Sequence, residues 1–508
     1  DDTDKAETEA NRRNDDYVAL LREWASHTPD DPVAAAVLAF FTRKEHLNIA
    51  VPDDATPNDL VAFRVDGTWA HLTDSAVEHW QQTVARRKSS EAGEDICLSC
   101  GETGPLLDTL PEPIKAGAIP APSGRSRDVQ LVSVNKTAQG RGGRLQLASI
   151  PICHHCGGSA VAVLNALLAD ENHRYRSPDS VTVWWLKHPT ALPLFRAVRD
   201  ARPDDIRAVY DALHKPRTGY GVTDVDANAF HSLTLSANQS RAVIRDWLDV
   251  PLREALANLD AWFADHRIQD LWSDEPKCVP LWLMARCLGR GSENSDGAWR
   301  YLKDTEPKTA ERDLLTCALR GPRQRPPTSL LHRLLQRIGA DGRVDLPRAA
   351  LLRLLLTRHP STDTRKTQPV LDTTNTSPAY VSGRIFAVLE ALQYRALRNP
   401  ETKKGPNTTI ADRFLSAAKT RPLPTLTSLL NRANGHLRRL RNSSDPKDNG
   451  AAVAFDKRLQ ELHGLLEAPL PKHLGLEDQG WFVLGYYQQK AADREAARNK
   501  QNSQTDDN

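Results

Sequence analysis

Four of the seven cysteines fall into two pairs of one shape, Cys97-Leu98-Ser99-Cys100-Gly101 and Cys153-His154-His155-Cys156-Gly157-Gly158. The two-residue spacer lets both thiolates of a pair approach one ion, and the trailing glycine permits a tight turn that aims backbone N–H groups at sulfur. Two such knuckles complete a closed tetrahedral set. Four thiolates with no open position suit a structural zinc ion, while iron takes the same ligands in redox settings. The 52 residues between the pairs exceed the ~15–20 of a compact ribbon, so the ion is expected to pin both ends of a long insert. A dithiol redox pair would need a thioredoxin-like βαβ context. His154 and His155 are expected outside the ligand set, and Cys278, Cys287 and Cys317 read as buried thiols in apolar surroundings.

Charge supplies the second candidate chemistry. The chain of 508 residues has a formal net charge of only +2, so local excess marks a place rather than a general property. Between the cysteine pairs, the stretch from Lys115 to Arg144 carries Lys115, Arg125, Arg127, Lys136, Arg141 and Arg144 against one acid, Asp128. Gly124, Gly140, Gly142 and Gly143 keep this stretch thin, as in a loop that enters or straddles a nucleic-acid groove. Asn135 and Gln139 have the side chains to read base edges. The same composition also describes a surface loop whose charges bind nothing. From Gly383 to Arg441 twelve Lys or Arg residues face three acids, Glu390, Glu401 and Asp412, at helical apolar spacing. A polyanion is the natural partner of such a block, and a solvated helical face is the alternative.

No catalytic apparatus is legible. The chain lacks a P-loop, a His-Glu-x-x-His helix and a Gly-x-Ser-x-Gly elbow. Asp224 and Asp226 near His231 could hold a nuclease metal, but scattered acids beside one histidine more often make a turn. The expectation is a protein that is not an enzyme.

The elements that carry these residues follow from periodicity. Residues 1–14 are polar and expected to fray. Tyr17, Leu20, Leu21 and Trp24 recur at helical spacing, Asp31-Pro32 caps a helix from Val33 to Phe41, and Asp66-Gly67 reads as a hairpin turn. A helix follows from Asp74 to Lys88. Strands are expected over Val129 to Val134, Ser180 to Leu186 and Phe230 to Ser236, with helices near Ser159 to Ala169 and from Gln239 onward into Leu252 to Phe263. After about Pro276 strand signals nearly vanish. Helical patterns recur over Glu311–Leu319, Ser329–Ile338, Pro347–Arg358, Tyr380–Leu397, Ile410–Lys419, Leu426–Leu440, Ala452–Leu466 and Gly480–Ala496. The reading is an α+β protein, mainly α. A mixed α/β half, 1–275, bears the zinc-stapled insert 97–158, a helical bundle spans 276–496, and a disordered tail covers 497–508.

Against that frame several phrases resemble one family. Tyr380-Val381-Ser382-Gly383-Arg384, continuing to Gln393, then Thr408-Thr409-Ile410-Ala411-Asp412-Arg413-Phe414, His436-Leu437-Arg438-Arg439-Leu440 and Gly480-Trp481-Phe482-Val483-Leu484-Gly485-Tyr486-Tyr487 resemble the large subunit of type I-C CRISPR Cascade complexes. Leu131-Val132-Ser133-Val134-Asn135 and Leu235-Ser236-Ala237-Asn238 fall where that family has similar phrases, and the likeness covers most of residues 97 to 490. It departs at Val134, where the family commonly has an aromatic, and at Gly140-Arg141-Gly142, where it has a Ser-Tyr-Gly phrase. The double cysteine knuckle is an elaboration of this branch, with zinc expected to replace packing that other members achieve otherwise. The family's head segment before the region resembling residues 15 to 90 is not evident here.

The resemblance implies a non-catalytic subunit of an RNA-guided antiviral complex. Such a subunit recognises the short motif (PAM) flanking the target in double-stranded DNA, supports R-loop formation and recruits a separate helicase-nuclease. Its implied partners are the guide RNA, the backbone and RNA-end-binding subunits, and a small helical subunit translated from within the same gene. No methionine follows Met284, so that start would use a non-standard codon, at Val344, Val370 or Val381. Lys115, Arg125, Arg127, Ser133, Asn135, Lys136, Gln139, Arg141 and Arg144 are expected to bind nucleic acid, with Lys136, Arg141 and Arg144 near the duplex. Arg384 is also expected to bind nucleic acid, and Arg413, Arg438 and Arg439 are expected at the heteroduplex or displaced strand. The alternatives are a metal-dependent nuclease and a stand-alone zinc-ribbon regulator. An acidic start, Asp1-Asp2-Thr3-Asp4, and the lack of an ~18-residue apolar run make the cytoplasm the expected location and a membrane no partner.

Overall fold

The computed structural model describes residues 2–50, 52, 55–56, 59–121, 127–190, 192–214, 225, 227–295, 298–360, 366–399, 401–402 and 405–506. It folds as two compact units, Asp1–Lys115 with Asp128–Asn165, and Ala116–Arg127 with Ala166–Asn508. The protein is mainly α, with small antiparallel sheets and a helical C-terminal half, as the periodicity predicts. Among the described residues no helix is long and apolar enough to cross a membrane.

The first unit opens with helix Asp2–His27, so the acidic start is helical rather than frayed. Arg12 pairs with Glu9 at 2.8 Å and with Asp16 at 3.0 Å. Such one-turn ion pairs support a helix that composition alone would leave as coil. Asp31 caps helix Pro32–Thr42 by accepting the N–H of Val33 at 2.8 Å. Leu21, Trp24, Ala34 and Val37 form the core between these helices. The hairpin at Asp66-Gly67 is present but short, pairing Arg64–Val65 with Thr68–Trp69 through positive φ at both turn residues. Helix Asp74–Lys88 stands where expected.

In the second unit strands Arg174–Arg176, Val181–Leu186, Ala229–Asn238 and Arg241–Pro251 make one antiparallel sheet in chain order. The last strand replaces the helix expected from Gln239. Gln239 at φ +56° turns the chain, and Trp247 and Val250 then pair with Leu233 and Phe230. Cross-strand pairing of aromatic and β-branched residues outweighs a helical apolar period here. The boundary expected at 275 is not where the units divide. Helix Leu252–His266 buries Leu256, Leu259, Trp262 and Phe263, and one apolar core runs from Tyr175 to Tyr487. A sheet that shares its buried face with the following helices cannot form a separate core.

The C-terminal helices are held by close backbone approach. A Cβ on Gly383 would lie 1.9 Å from the Phe482 carbonyl oxygen, and one on Gly485 would lie 2.3 Å from that of Tyr380. Helices Pro378–Leu397 and Leu476–Asp506 therefore meet where side chains are absent. The Tyr380 hydroxyl donates to Gln488 at 2.6 Å, and that of Tyr486 donates to Glu390 at 2.7 Å. The final helix continues to Asp506, so the tail expected to be disordered from 497 is helical that far. Arg498 anchors it on the Leu271 carbonyl at 2.9 Å.

Candidate metal centre and nucleic-acid interface

Strand Ser89–Ile96 delivers Cys97, and strand Thr103–Leu107 returns beside it. Between them Gly101, at φ +77°, gives its N–H to the Cys97 carbonyl at 2.8 Å, while Cys97 N–H donates to Glu102 at 2.9 Å. The left-handed position is what the trailing glycine supplies. The second pair straddles the start of helix His154–Ala169, with Cys153 bridged to Leu106 and the Leu107 N–H donating to Ile152 at 2.9 Å. The knuckles are joined directly by Leu98 N–H to the Pro151 carbonyl at 3.0 Å.

This scaffold brings all four sulfurs together within 4.8 Å of one another, with Cys100 and Cys153 4.0 Å apart. Four ligands at ~2.3 Å from a common centre have sulfurs about 3.8 Å apart, so the arrangement fits a tetrahedral ion after a small contraction. Among the described residues this is the sole clustering of potential metal ligands, and neither His154 nor His155 belongs to it. N–H groups of Cys100 and Cys153 draw the Cys97 thiol down to about 6, the Cys153 bond to sulfur being 3.3 Å. Cys156 gains from the Ser99 hydroxyl, but neighbouring Cys153 and burial push it up to about 12. Cys97 is thus the preformed anionic ligand, and a bound cation would supply what the others lack. A metal ion would be held by Cys97, Cys100, Cys153 and Cys156 and would cross-link the two knuckles there.

The insert between the pairs is an irregular flap. Val129 meets Ile114 in one bridge, and the strand expected through Val134 does not form. Leu107, Leu110, Leu147 and Val161 are the buried residues beneath it. Two single helical turns, Thr137–Gln139 and Arg141–Gly143, present its tip. A Cβ on Gly140 would lie 1.6 Å from the Arg144 carbonyl oxygen, so the phrase that departs from the family pattern packs its own backbone tightly. Gln146 N–H closes the loop on Val134 at 2.8 Å. Asn135, Lys136, Gln139, Arg141 and Arg144 are exposed on it, and Ser133 is half-buried. Arg144 donates to the Ala148 carbonyl at 3.2 Å. Lys115 is exposed in the same unit, whereas Arg127, also exposed, belongs to the segment grouped with the other. Arg125 lies outside the described residues.

The helical cations divide sharply. Arg384 is buried, donates to Gln489 at 3.0 Å and has its pKa lowered by burial. It is a packing residue, not a strand contact, because its helix is covered on that face by Leu476–Asp506. Arg413, Arg438 and Arg439 are exposed, and none pairs with an acid among the described residues. Neighbouring cations are engaged: Arg441 with Asp456 at 2.7 Å, Lys490 with Glu390 at 2.9 Å, and Arg395 with Asp448. Asp412 is occupied by the cap of helix Ile410–Thr420, accepting from Thr409 N–H at 2.7 Å.

Sequence reasoning missed Arg432 and His436. They fall at i and i+4 on helix Pro422–Arg441, with Arg439 at i+7, so one face carries all three. That spacing was available in the sequence; the acid-free surroundings were not. Asp224 and Asp226 lie outside the described residues, while His231 stacks on Trp185 at 5.4 Å and approaches Asp249 at 3.2 Å.

The model of one protein family, described as CRISPR-associated protein (Cas_Csd1), matches residues 1–493. No curated protein matches the chain.

Proposed function

From a chain that belongs to the Csd1 family of CRISPR-associated proteins, a Cascade subunit family, we propose a non-catalytic large subunit that reads the PAM of target duplex DNA with its thiolate-anchored flap. The family carries with it association with guide RNA and other Cascade subunits. The observation that supports the flap assignment is its design. Five polar or cationic residues, Asn135, Lys136, Gln139, Arg141 and Arg144, stand exposed on a tip whose two ends are tied by one cysteine cluster. Such a device holds phosphate-seeking and base-reading side chains at a fixed distance from an anchor.

In this reading Lys136, Arg141 and Arg144 grip duplex phosphates, and Lys115 and Arg127 add to the field. Asn135 and Gln139, with the Ser133 hydroxyl behind them, meet base edges. Arg413, Arg438 and Arg439 hold the strand displaced as the guide pairs, which supports R-loop formation. Cleavage is left to a helicase-nuclease recruited in trans. The complex is of type I-C, a setting with which the family is consistent.

The test uses the assembled complex with guide RNA and a target duplex. Changing Lys136, Arg141 and Arg144 together to Ala is expected to weaken duplex binding and flatten its salt dependence by about three phosphate contacts, a slope change of roughly 2.7. Asn135→Ala is expected to relax discrimination among flanking motifs instead. Unchanged isotherms for the triple variant, or equal loss on every motif for Asn135→Ala, would refute the respective roles. Cleavage of DNA by the purified chain with Mg²⁺ would refute the non-catalytic assignment.

A further inference from the structure

We infer that the cavity between helices Pro378–Leu397, Ile410–Thr420 and Pro422–Arg441 takes one nucleotide of a single DNA strand, with its base inward and its phosphate at the rim. This rests on the reading that the helical cations hold the displaced strand, and it adds a place where that strand is gripped by more than charge.

The cavity measures about 340 Å³, within the ~300–1,000 Å³ usual for small-ligand sites. Leu389, Leu429 and Ala433 supply an apolar lining, which suits a base and not a bare phosphate. Thr408, Thr409, Gln393 and His436 add polar side chains to it, and the last two can meet a base edge. Gln393 accepts the Ile410 N–H at 2.8 Å through its carbonyl, and that bond fixes the carboxamide. Its NH₂ group has no partner among the described residues and is a free donor for a base edge. His436 has its pKa lowered by burial and then by Arg439, so at neutral pH the ring offers one donor and one acceptor.

At the rim stand Arg413 and Arg432, and no acid lines the cavity. Arg432 lies over the Phe414 ring at 5.5 Å from its centroid, which orients the guanidinium without neutralising it. The two nearest acids in sequence are taken, Asp412 by the Thr409 cap and Glu390 by Lys490 and Tyr486. A ligand with a planar, polar-edged apolar body and a negative phosphate satisfies all of these groups at once; that is a nucleoside phosphate. Its source is a strand rather than a free nucleotide because the cations run on. Arg439 follows Arg432 by seven residues, about 10 Å along the same helical face, with Arg438 beside it.

The experiment uses the full chain and a short single-stranded deoxyoligonucleotide. One version carries 2-aminopurine at a central position and one carries abasic sites throughout. Wild type is expected to quench the 2-aminopurine on binding and to bind the abasic strand about tenfold more weakly, the loss of roughly one stacked base. Arg432→Gln, a change at an exposed site, should flatten the salt slope by about 0.7. Ala433→Leu, which fills the cavity and leaves every charge in place, should abolish both the quench and the abasic penalty at an unchanged salt slope. Equal wild-type affinity for intact and abasic strands would overturn the pocket while leaving the strand-holding role standing. Absence of any strand binding would overturn both. Competition by deoxyadenosine monophosphate at the strand's own concentration range would show a free nucleotide to be the ligand and overturn the strand as its source.

Discussion

Replacing Arg413, Arg438 and Arg439 together by Gln isolates the electrostatic part of strand holding. All three side chains are exposed and none has an acid partner among the described residues, so folding stability should stay within about 0.5 kcal/mol of wild type. Each phosphate neutralised on a single strand contributes about 0.7 to the slope of log K against log salt. Three contacts therefore account for a slope of roughly 2.1. Between 50 and 200 mM salt, a change of about 0.6 in the logarithm, the wild-type advantage should shrink by about 1.3 log units, or roughly twentyfold. The assay is a salt titration of strand binding by fluorescence anisotropy, with Arg441→Gln as control. Arg441 already pairs with Asp456 at 2.7 Å, so its loss should leave the slope nearly unchanged. Parallel lines for wild type and the triple variant would refute the argument that unpaired cations mark the strand path. Equal slopes for the triple variant and the control would do the same.

Two further perturbations test the remaining structure. Cys100→Ser, or treatment with a strong chelator, should release one zinc equivalent and raise hydrogen exchange across 97–158, while exchange in helices Pro378–Leu397 and Leu476–Asp506 stays unchanged; metal analysis together with exchange mass spectrometry reads both. Glu311 is buried, which pushes its pKa up to about 7 despite the Tyr175 hydroxyl donating to it at 3.2 Å. Its folded-state value exceeds the unfolded one, so its favourable share is complete below about 4.5 and is lost as pH rises through 7, by at most about 3 kcal/mol. Glu311→Gln should remove that loss and raise Tm at pH 8 relative to wild type, as read by thermal denaturation.

Much was legible because it is local. The knuckle spacing, Asp31-Pro32, the Asp66-Gly67 turn and the late helical periods each depend on a few neighbouring residues, and the structure has them where the chain suggests. The errors share one cause. Gln239 to Pro251 is a strand because Phe230 and Leu233 lie across from it, and Arg384 is unavailable because Gly485 lets a helix come down on its own. Both are decided by partners more than 100 residues away or on another strand.

The sequence by itself determined which residues have the chemistry: four thiols at ligand spacing, a thin cationic flap and a basic helical stretch. Only tertiary structure decided which of those charges stay free. An exposed arginine and a buried one are the same letter, and the difference lies in whether distant helices exclude water from it and whether an acid reaches it. Arg413 and Arg432 remain open at one acid-free cavity, with Arg439 exposed further along the same helix, while Arg384 is buried inside the fold and Arg441 is paired with Asp456.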